Sequence, residues 1–267
     1  MIIDVNYFLL FVFGACWGSF LNVCIIRLAN EKSIIFPSSM CLTCDKKILF
    51  YHKIPLISWI FLSGKCSCKK SKIPIIYFFM ELFVPLLFLF IVFVYSFSII
   101  SLIYGIFFSL LIVGSGVDLK QKWIPDTVTL GGIFLGLTCS YFFPIIHGCE
   151  VNLSSLIMSA KGFLLGSSLL LLVGFIGKLI LKTDAMGMGD VKLLGAIGSF
   201  IGIKGMFFCL FTGSLLAVIV SQILFLAKKR SFKEEIPFGP YLSISCIAWI
   251  LFKLSDLNLF TFDSLFY

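Results

Sequence analysis

Long apolar runs alternate with short polar segments along the whole chain of 267 residues. A helix needs ~20 predominantly apolar residues to cross the hydrocarbon core of a bilayer. The runs predict eight helices, at about residues 5–26, 75–97, 98–117, 127–146, 153–181, 191–203, 205–227 and 240–260. We therefore predict an all-α polytopic membrane protein with about eight transmembrane helices.

The composition supports this class. Hydrophobic residues make up 60% of the chain and charged residues 13%, whereas soluble domains have about 45–50% and about 25%. Soluble globular, collagen-like and disordered chains are therefore excluded. The first apolar run has no basic segment before it, since Asp4 is the only charged residue ahead of Arg27, so we expect it to remain as a helix rather than be cleaved as a signal peptide.

The distribution of positive charge predicts the orientation in the membrane. Of the 21 Lys and Arg residues, 18 fall within four segments, at residues 27–74, 118–126, 178–192 and 228–235. Eight alternating helices place these segments on one side, and basic loops stay in the cytoplasm. Both termini should then be external. The net charge of +8 reflects this bias, and no basic stripe interleaved with aromatic residues indicates a nucleic-acid partner.

These patterns divide the chain into three parts. Residues 1–27 form the first transmembrane helix, residues 28–73 a cytoplasmic cysteine-rich loop, and residues 74–267 a transmembrane core. The loop contains two close cysteine pairs, namely Cys41 with Cys44 and Cys66 with Cys68. Because cytoplasmic thiols stay reduced and four thiolates suit tetrahedral zinc, we predict a structural, zinc-ribbon-like site. The alternative is four unliganded surface thiols, and His52 is a possible substitute ligand.

Two carboxylates lie at the predicted cytoplasmic edge of the membrane. Asp118 ends the third predicted helix, and Asp190 begins the sixth, after Gly187 and Gly189. Ionisable groups at such positions indicate function, and two of them on one face suggest a pair. A close pair of carboxyl groups retains one proton. The ionised group can then take a proton from water while the protonated one hydrogen-bonds a carbonyl oxygen, which is the chemistry of peptide hydrolysis.

Structural explanations exist for each of these acidic residues. Asp190 is a candidate N-cap for a helix that starts at Val191, and Asp118 could be a solvated helix end. Asp126, after Ile124-Pro125, is more typical of an N-cap than of a catalytic group. Glycines at 187 and 189 can adopt positive φ and let a substrate strand approach the backbone.

Glu81 raises a separate question, because it lies within the second predicted helix. A carboxylate there is costly unless it is paired. Glu81 therefore either binds a polar group or holds a neighbouring helix.

Seven pieces of the sequence, taken in order, resemble the type IV prepilin peptidases, the membrane aspartic proteases that process pilin and type II secretion pseudopilin precursors. They are Gly18-Ser19-Phe20-Leu21-Asn22-Val23 with Arg27, Pro37-Ser38-Ser39 before Cys41 and Cys44, Ile54-Pro55-Leu56-Ile57-Ser58-Trp59, the second cysteine pair, Asp118 with Ile124-Pro125-Asp126, Gly187-Met188-Gly189-Asp190, and Pro237-Phe238-Gly239-Pro240. The set covers nearly the whole chain.

The resemblance implies that Asp118 and Asp190 are the catalytic pair. It also implies that the enzyme cuts prepilins at the cytoplasmic face of the inner membrane, after a glycine, and N-methylates the new terminus with S-adenosylmethionine. It makes the four cysteines zinc ligands, although the family's second pair is usually CxxC and here it is Cys66-Ser67-Cys68. Arg27 and Glu81 match family positions and are candidates for methyl transfer.

Two other functions compete with this interpretation. A transporter could use membrane carboxylates to carry protons or cations, but it predicts inverted repeats and helices broken near the bilayer midplane, which the sequence does not show. A catalytically inactive assembly subunit would not need both Asp118 and Asp190. The sequence leaves the oligomeric state open.

Overall fold

The computed structural model describes residues 2–36, 54–62, 64–66, 73–182, 186–227 and 236–252. Within these residues it contains eight α-helices and one 3₁₀ turn at Pro144–His147. The helices are α1 (Ile2–Ala29), α2 (Ile57–Phe61), α3 (Ile75–Tyr95), α4 (Ile99–Gln121), α5 (Asp126–Phe142), α6 (Asn152–Leu181), α7 (Met188–Leu226) and α8 (Gly239–Leu251). The all-α prediction is confirmed for the described residues, and the predicted helices match in order. The two predicted at residues 191–203 and 205–227 both fall within α7, and the one predicted at residues 240–260 extends beyond residue 252, outside those described. The short helix α2 was not predicted.

Five helices of the described part of the chain are long and apolar enough to cross a membrane, namely α1, α3, α4, α6 and α7. In contrast, α5 has 17 residues and α8 has 13, so both fall short of the ~20 residues of a full span. The chain is a polytopic membrane protein. That all eight predicted segments cross the membrane stays a prediction. The zinc-ribbon-like loop falls largely on residues outside those described.

The long helix α7 is interrupted at Gly202, whose φ of 70° and ψ of −172° are not helical. A Cβ at Gly166 would lie 2.9 Å from the carbonyl oxygen of Leu194 and 3.3 Å from Cγ of Met206. Twelve residues of straight helix span about 18 Å, so the chain must fold back between these two contacts. The interruption separates the two helices predicted at residues 191–203 and 205–227.

Side chains supply hydrogen bonds to the backbone beside this interruption. The hydroxyl of Ser159 donates to the carbonyl oxygen of Ser199 (2.7 Å), and Nε2 of His147 lies 3.2 Å from the same oxygen. Burial lowers the pKa of His147, so its imidazole is neutral at pH 7 and donates through Nε2. These donors satisfy a backbone oxygen beside the interruption and stabilise the turn.

The described chain divides after Gly105 into two compact units. In the first unit, α1 packs on α3 through glycines one turn apart. A Cβ at Gly14 would lie 2.6 Å from Cα of Pro85, and one at Gly18 would lie 2.8 Å from the carbonyl oxygen of Met80. One turn further on, Nδ2 of Asn22 donates to the carbonyl oxygen of Tyr77 (3.3 Å). Small residues allow this close helix contact in a membrane.

The second unit, from Ile106 onward, packs α5 and α6 against the first part of α7. A Cβ at Gly162 would collide with the carbonyl oxygen of Gly198, and a Cβ at Gly132 would lie 3.1 Å from that of Ala196. The rings of Phe107 and Phe200 stack in the core, with centroids 3.8 Å apart. This packing fixes the start of α7, which contains Asp190.

Candidate active site

Asp118 lies in the last turn of α4, three residues before the helix ends at Gln121. Its side chain is only 4% exposed, so it is not a solvated helix end. The N–H of Gly239 donates to Oδ2 of Asp118 (2.9 Å). Gly239 is the first residue of α8, and this bond joins the start of that helix to the carboxylate.

Asp190 lies in the first turn of α7, so the alternative explanation of Asp190 as an N-cap does not hold. The helix begins at Met188 rather than Val191, and Gly187 occupies the cap position without a side-chain hydrogen bond. Oδ1 of Asp190 is buried and has no hydrogen-bond partner among the described residues. A buried polar oxygen usually has a partner, so this oxygen is available to a bound group.

The glycines before Asp190 do not use the positive φ that is open to them. Gly187 has φ −72° and ψ 137°, and the glycines with positive φ among the described residues are Gly64, Gly148 and Gly202. Close packing explains the glycine at position 189 instead, since a Cβ there would lie 3.2 Å from Cβ of Ile124.

The structure brings the two aspartates together at one end of the second unit. The charge of Asp118 acts on the carboxyl group of Asp190. Ile124 packs between the segments that carry the two aspartates. A Cβ at Gly239 would lie 3.1 Å from Cδ1 of Ile124, and a Cβ at Gly189 would lie 3.2 Å from Cβ of Ile124. The end of α4 and the starts of α7 and α8 therefore converge on this buried isoleucine.

An ion pair lies beside these segments at the start of α5. Nζ of Lys192 is 2.6 Å from Oδ1 of Asp126, and the two side chains are 31% and 62% exposed. The predicted N-cap role of Asp126 is wrong, since Pro125 is the cap residue and Asp126 begins the helix. An exposed pair of this kind contributes about 0–1 kcal/mol, so we assign it no chemical role.

In the first unit, Glu81 and Arg27 both hydrogen-bond to backbone. The buried carboxylate of Glu81 accepts from the N–H of Leu56 (2.8 Å). Leu56 has φ 62° and ψ −55°, a strained conformation for a residue with a side chain. Nη1 of Arg27 donates to the carbonyl oxygens of Ser33 (3.2 Å) and Ile34 (2.6 Å). Both side chains thus support segments that follow α1.

Of the four predicted zinc ligands, Cys66 belongs to the described residues, and Cys41, Cys44 and Cys68 lie outside them. Across the described ranges no group of three His, Cys, Asp or Glu side chains is arranged to hold a metal ion. The zinc site stays a prediction.

Sequence reasoning gave no role to two groups of this site, the N–H of Gly239 and the side chain of Ile124. Both belong to motifs in which the sequence resembles the type IV prepilin peptidases, Pro237-Phe238-Gly239-Pro240 and Ile124-Pro125-Asp126. The signal that could have found them is a pair of glycines, at 189 and 239, each at the start of an apolar segment on the predicted cytoplasmic side.

Comparison with known proteins identifies the family. Residues 12–95 match the bacterial peptidase A24 N-terminal domain, and residues 105–222 match the type IV leader peptidase family. A prepilin leader peptidase/N-methyltransferase of Neisseria gonorrhoeae is 32% identical over 269 residues, which cover 92% of this chain and 89% of that relative. The chain belongs to the type IV leader peptidase family. The predicted family membership is confirmed, and with it the prediction of a leader peptidase.

Other relatives of this leader peptidase have similar names. One from Xanthomonas campestris pv. campestris, also named prepilin leader peptidase/N-methyltransferase, is 31% identical over 90% of this chain and 88% of its own length. A type 4 prepilin-like proteins leader peptide-processing enzyme of Escherichia coli O78:H11 is 31% identical over 89% of this chain and 90% of its own length. No solved structure gives a significant match. The long apolar helices and the family together make this leader peptidase an integral inner-membrane protein.

Proposed function

We propose that this leader peptidase is a membrane aspartic endopeptidase that removes the leader peptides of type IV prepilins or of type II secretion pseudopilins. The observation that carries the proposal is geometric: the segments of Asp118 and Asp190 converge at one end of the second unit, where glycines at 189 and 239 both face Ile124 and the N–H of Gly239 meets Asp118. Relatives named for prepilin cleavage and N-methylation over most of the chain support the substrate class.

Peptide hydrolysis at this pair needs one ionised and one protonated carboxyl group. Two carboxylates at close range share one proton, and burial of Asp118 strengthens their interaction because water screens it less. The ionised group takes a proton from a water molecule that attacks the scissile carbonyl carbon. The protonated group hydrogen-bonds the carbonyl oxygen and stabilises the charge that develops there.

We place this site at the cytoplasmic face, with both termini external. The ends of α4, α7 and α8 that meet at the aspartates adjoin the basic segments at residues 118–126, 178–192 and 228–235, and basic loops stay in the cytoplasm. A precursor with a basic leader and an apolar helix would then enter from the bilayer with its scissile bond level with the carboxyl groups.

The second proposed activity is transfer of a methyl group to the new N-terminus, with S-adenosylmethionine as the donor. When bound, this cofactor supplies an electrophilic methyl group for the amine that cleavage has released. Arg27 and Glu81 are our candidates for this activity. Because both already bind backbone, we give them a positioning role on the segments around Ile34 and Leu56 rather than direct contact with the cofactor.

A single experiment tests both proposed activities. Purified enzyme in detergent or nanodiscs is incubated with a prepilin and S-adenosylmethionine, and the products are weighed by mass spectrometry. Loss of the leader reports the peptidase, and the added mass of one methyl group on the mature chain reports the transferase. A precursor that stays intact would contradict the first proposal, and a mature product that never gains the methyl group would contradict the second.

We further propose that Cys41, Cys44, Cys66 and Cys68 bind one structural zinc ion, which would stabilise a loop with little apolar core of its own. Replacement Cys66→Ser is expected to reduce the zinc content of purified protein from ~one ion per chain to near zero, with cleavage largely retained. Cys16→Ser, at an exposed cysteine of α1, is the matched control and should keep the metal. Wild-type protein without zinc in elemental analysis would refute the site.

A further inference from the structure

The two aspartates of the proposed catalytic pair have different surroundings. Oδ2 of Asp118 accepts a hydrogen bond of 2.9 Å from the N–H of Gly239. This donor belongs to the backbone at the start of α8. Oδ1 of Asp190 is buried and has no donor among the described residues. A fixed N–H stabilises a carboxylate more than a neutral carboxyl group, so the two sites favour different protonation states.

Gly239 lies where a side chain would press on Asp118 and Ile124. A Cβ would lie 2.9 Å from Oδ2 of Asp118 and 3.1 Å from Cδ1 of Ile124. The carboxylate can therefore approach the backbone closely enough for the N–H bond only because residue 239 is glycine. Pro237 and Pro240 lack an N–H, so the motif has two backbone donors, at Phe238 and Gly239, and it is the N–H of Gly239 that meets Asp118.

We propose that the N–H of Gly239 makes the pair asymmetric, so that Asp118 is the carboxylate that accepts the proton of the attacking water and Asp190 is the protonated partner. This inference rests on the proposed function and assigns its two roles. It also assigns a function to the Pro237-Phe238-Gly239-Pro240 motif, which is to orient the carboxylate of the general base, Asp118.

The proton transfers balance with these roles. The water oxygen bonds to the scissile carbonyl carbon while its proton passes to Asp118 and the proton of Asp190 passes to the carbonyl oxygen, which gives a neutral gem-diol. Asp118 then gives its proton to the leaving nitrogen as the C–N bond breaks. One hydroxyl of the gem-diol returns a proton to Asp190 and becomes the new carboxyl carbonyl, so both aspartates end in their starting states.

Other titratable groups occur on every element that meets at the site. Lys120 and Lys122 lie at the exposed end of α4, Asp126 of α5 pairs with Lys192 of α7, and Tyr241 belongs to α8. Gly239→Ala replaces none of these titratable residues. A shift in pH dependence at that variant therefore reports the aspartyl pair.

The test is the pH profile of kcat/KM for prepilin cleavage by Gly239→Ala. We expect the acidic limb to move to higher pH by about one unit, because the carboxylate of Asp118 loses its donor, while the alkaline limb stays in place. Gly131→Ala is the matched control, since a Cβ at Gly131 meets nothing within 4 Å, and it should keep the wild-type profile.

A second variant isolates the N–H if Gly239→Ala fails to fold. Replacement of Gly239 by glycolic acid, which turns the amide into an ester, removes the donor without adding a Cβ, and the same shift of the acidic limb is expected. A shift of the alkaline limb, or no shift in the ester variant, would overturn the assignment. Substantial cleavage by Asp118→Asn or Asp190→Asn would instead refute the proposed function itself.

Discussion

Asp118 and Gly239 are separated by 121 residues of sequence and joined by one hydrogen bond of 2.9 Å. Contacts of this kind between single residues hold the site together. Ile124 packs where glycines at 189 and 239 leave room, and so sets the spacing of the segments that hold the aspartates. None of these partners shares a helix with Asp118, which is why helical periodicity could not have found them.

Glu81 offers a prediction at the same scale. Glu81→Ala removes the acceptor for the N–H of Leu56 and leaves its strained turn without support. Glu81→Gln keeps an acceptor oxygen but removes the charge. If Glu81 positions this segment for methyl transfer, methylation of mature pilin should fall at least about tenfold in the alanine variant and stay within about threefold in the glutamine variant.

The readout for Glu81 is the methylated fraction of product by mass spectrometry, and leader cleavage by the same preparations is the control for folding. Equal loss of methylation in both variants would contradict a positioning role, because it would show that the negative charge itself is required. Unchanged methylation in both would remove Glu81 from this activity.

At the scale of helices, α7 determines where Asp190 lies. Its first part is held by α6, through a contact between the backbones of Gly162 and Gly198, and by α5, where Gly132 faces Cβ of Ala196. This part ends at the interruption at Gly202. The apolar pattern predicted the two helices on either side of Gly202, and the five long helices needed only length and hydropathy. The pattern did not reveal α2, because a helix of five residues carries no periodic signal.

The contact between α6 and α7 can be tested directly. Gly162→Ala would place a Cβ against the carbonyl oxygen of Gly198, which is backbone and cannot rotate away. Overpacking of this kind costs about 1–3 kcal/mol, so we expect a lower midpoint of thermal unfolding in detergent. Gly131→Ala enters open space within α5 and should keep or raise the midpoint, since alanine favours a helix more than glycine does. A wild-type midpoint for Gly162→Ala would contradict the close packing.

For the whole molecule, hydropathy predicted the all-helical membrane fold, and the seven motifs predicted the family. The alternation of apolar runs and basic segments placed Asp118 and Asp190 on one side before any contact was known, and the second unit brings them together. The start of α7 was missed because capping preference assigned Asp190 to a cap that glycine occupies. The cysteine loop depends on ligand spacing alone, since most of it lies outside the described residues.

The most direct test of the account is cleavage of a purified prepilin by Asp118→Asn and by Asp190→Asn. Asp126→Asn is the matched control, since it changes a nearby, exposed carboxylate that is paired with Lys192. We expect each of the first two variants to fold and insert normally but to cleave at least about 10³-fold more slowly, while the control stays close to wild type. Cleavage within about tenfold of wild type by either variant would contradict the aspartyl pair.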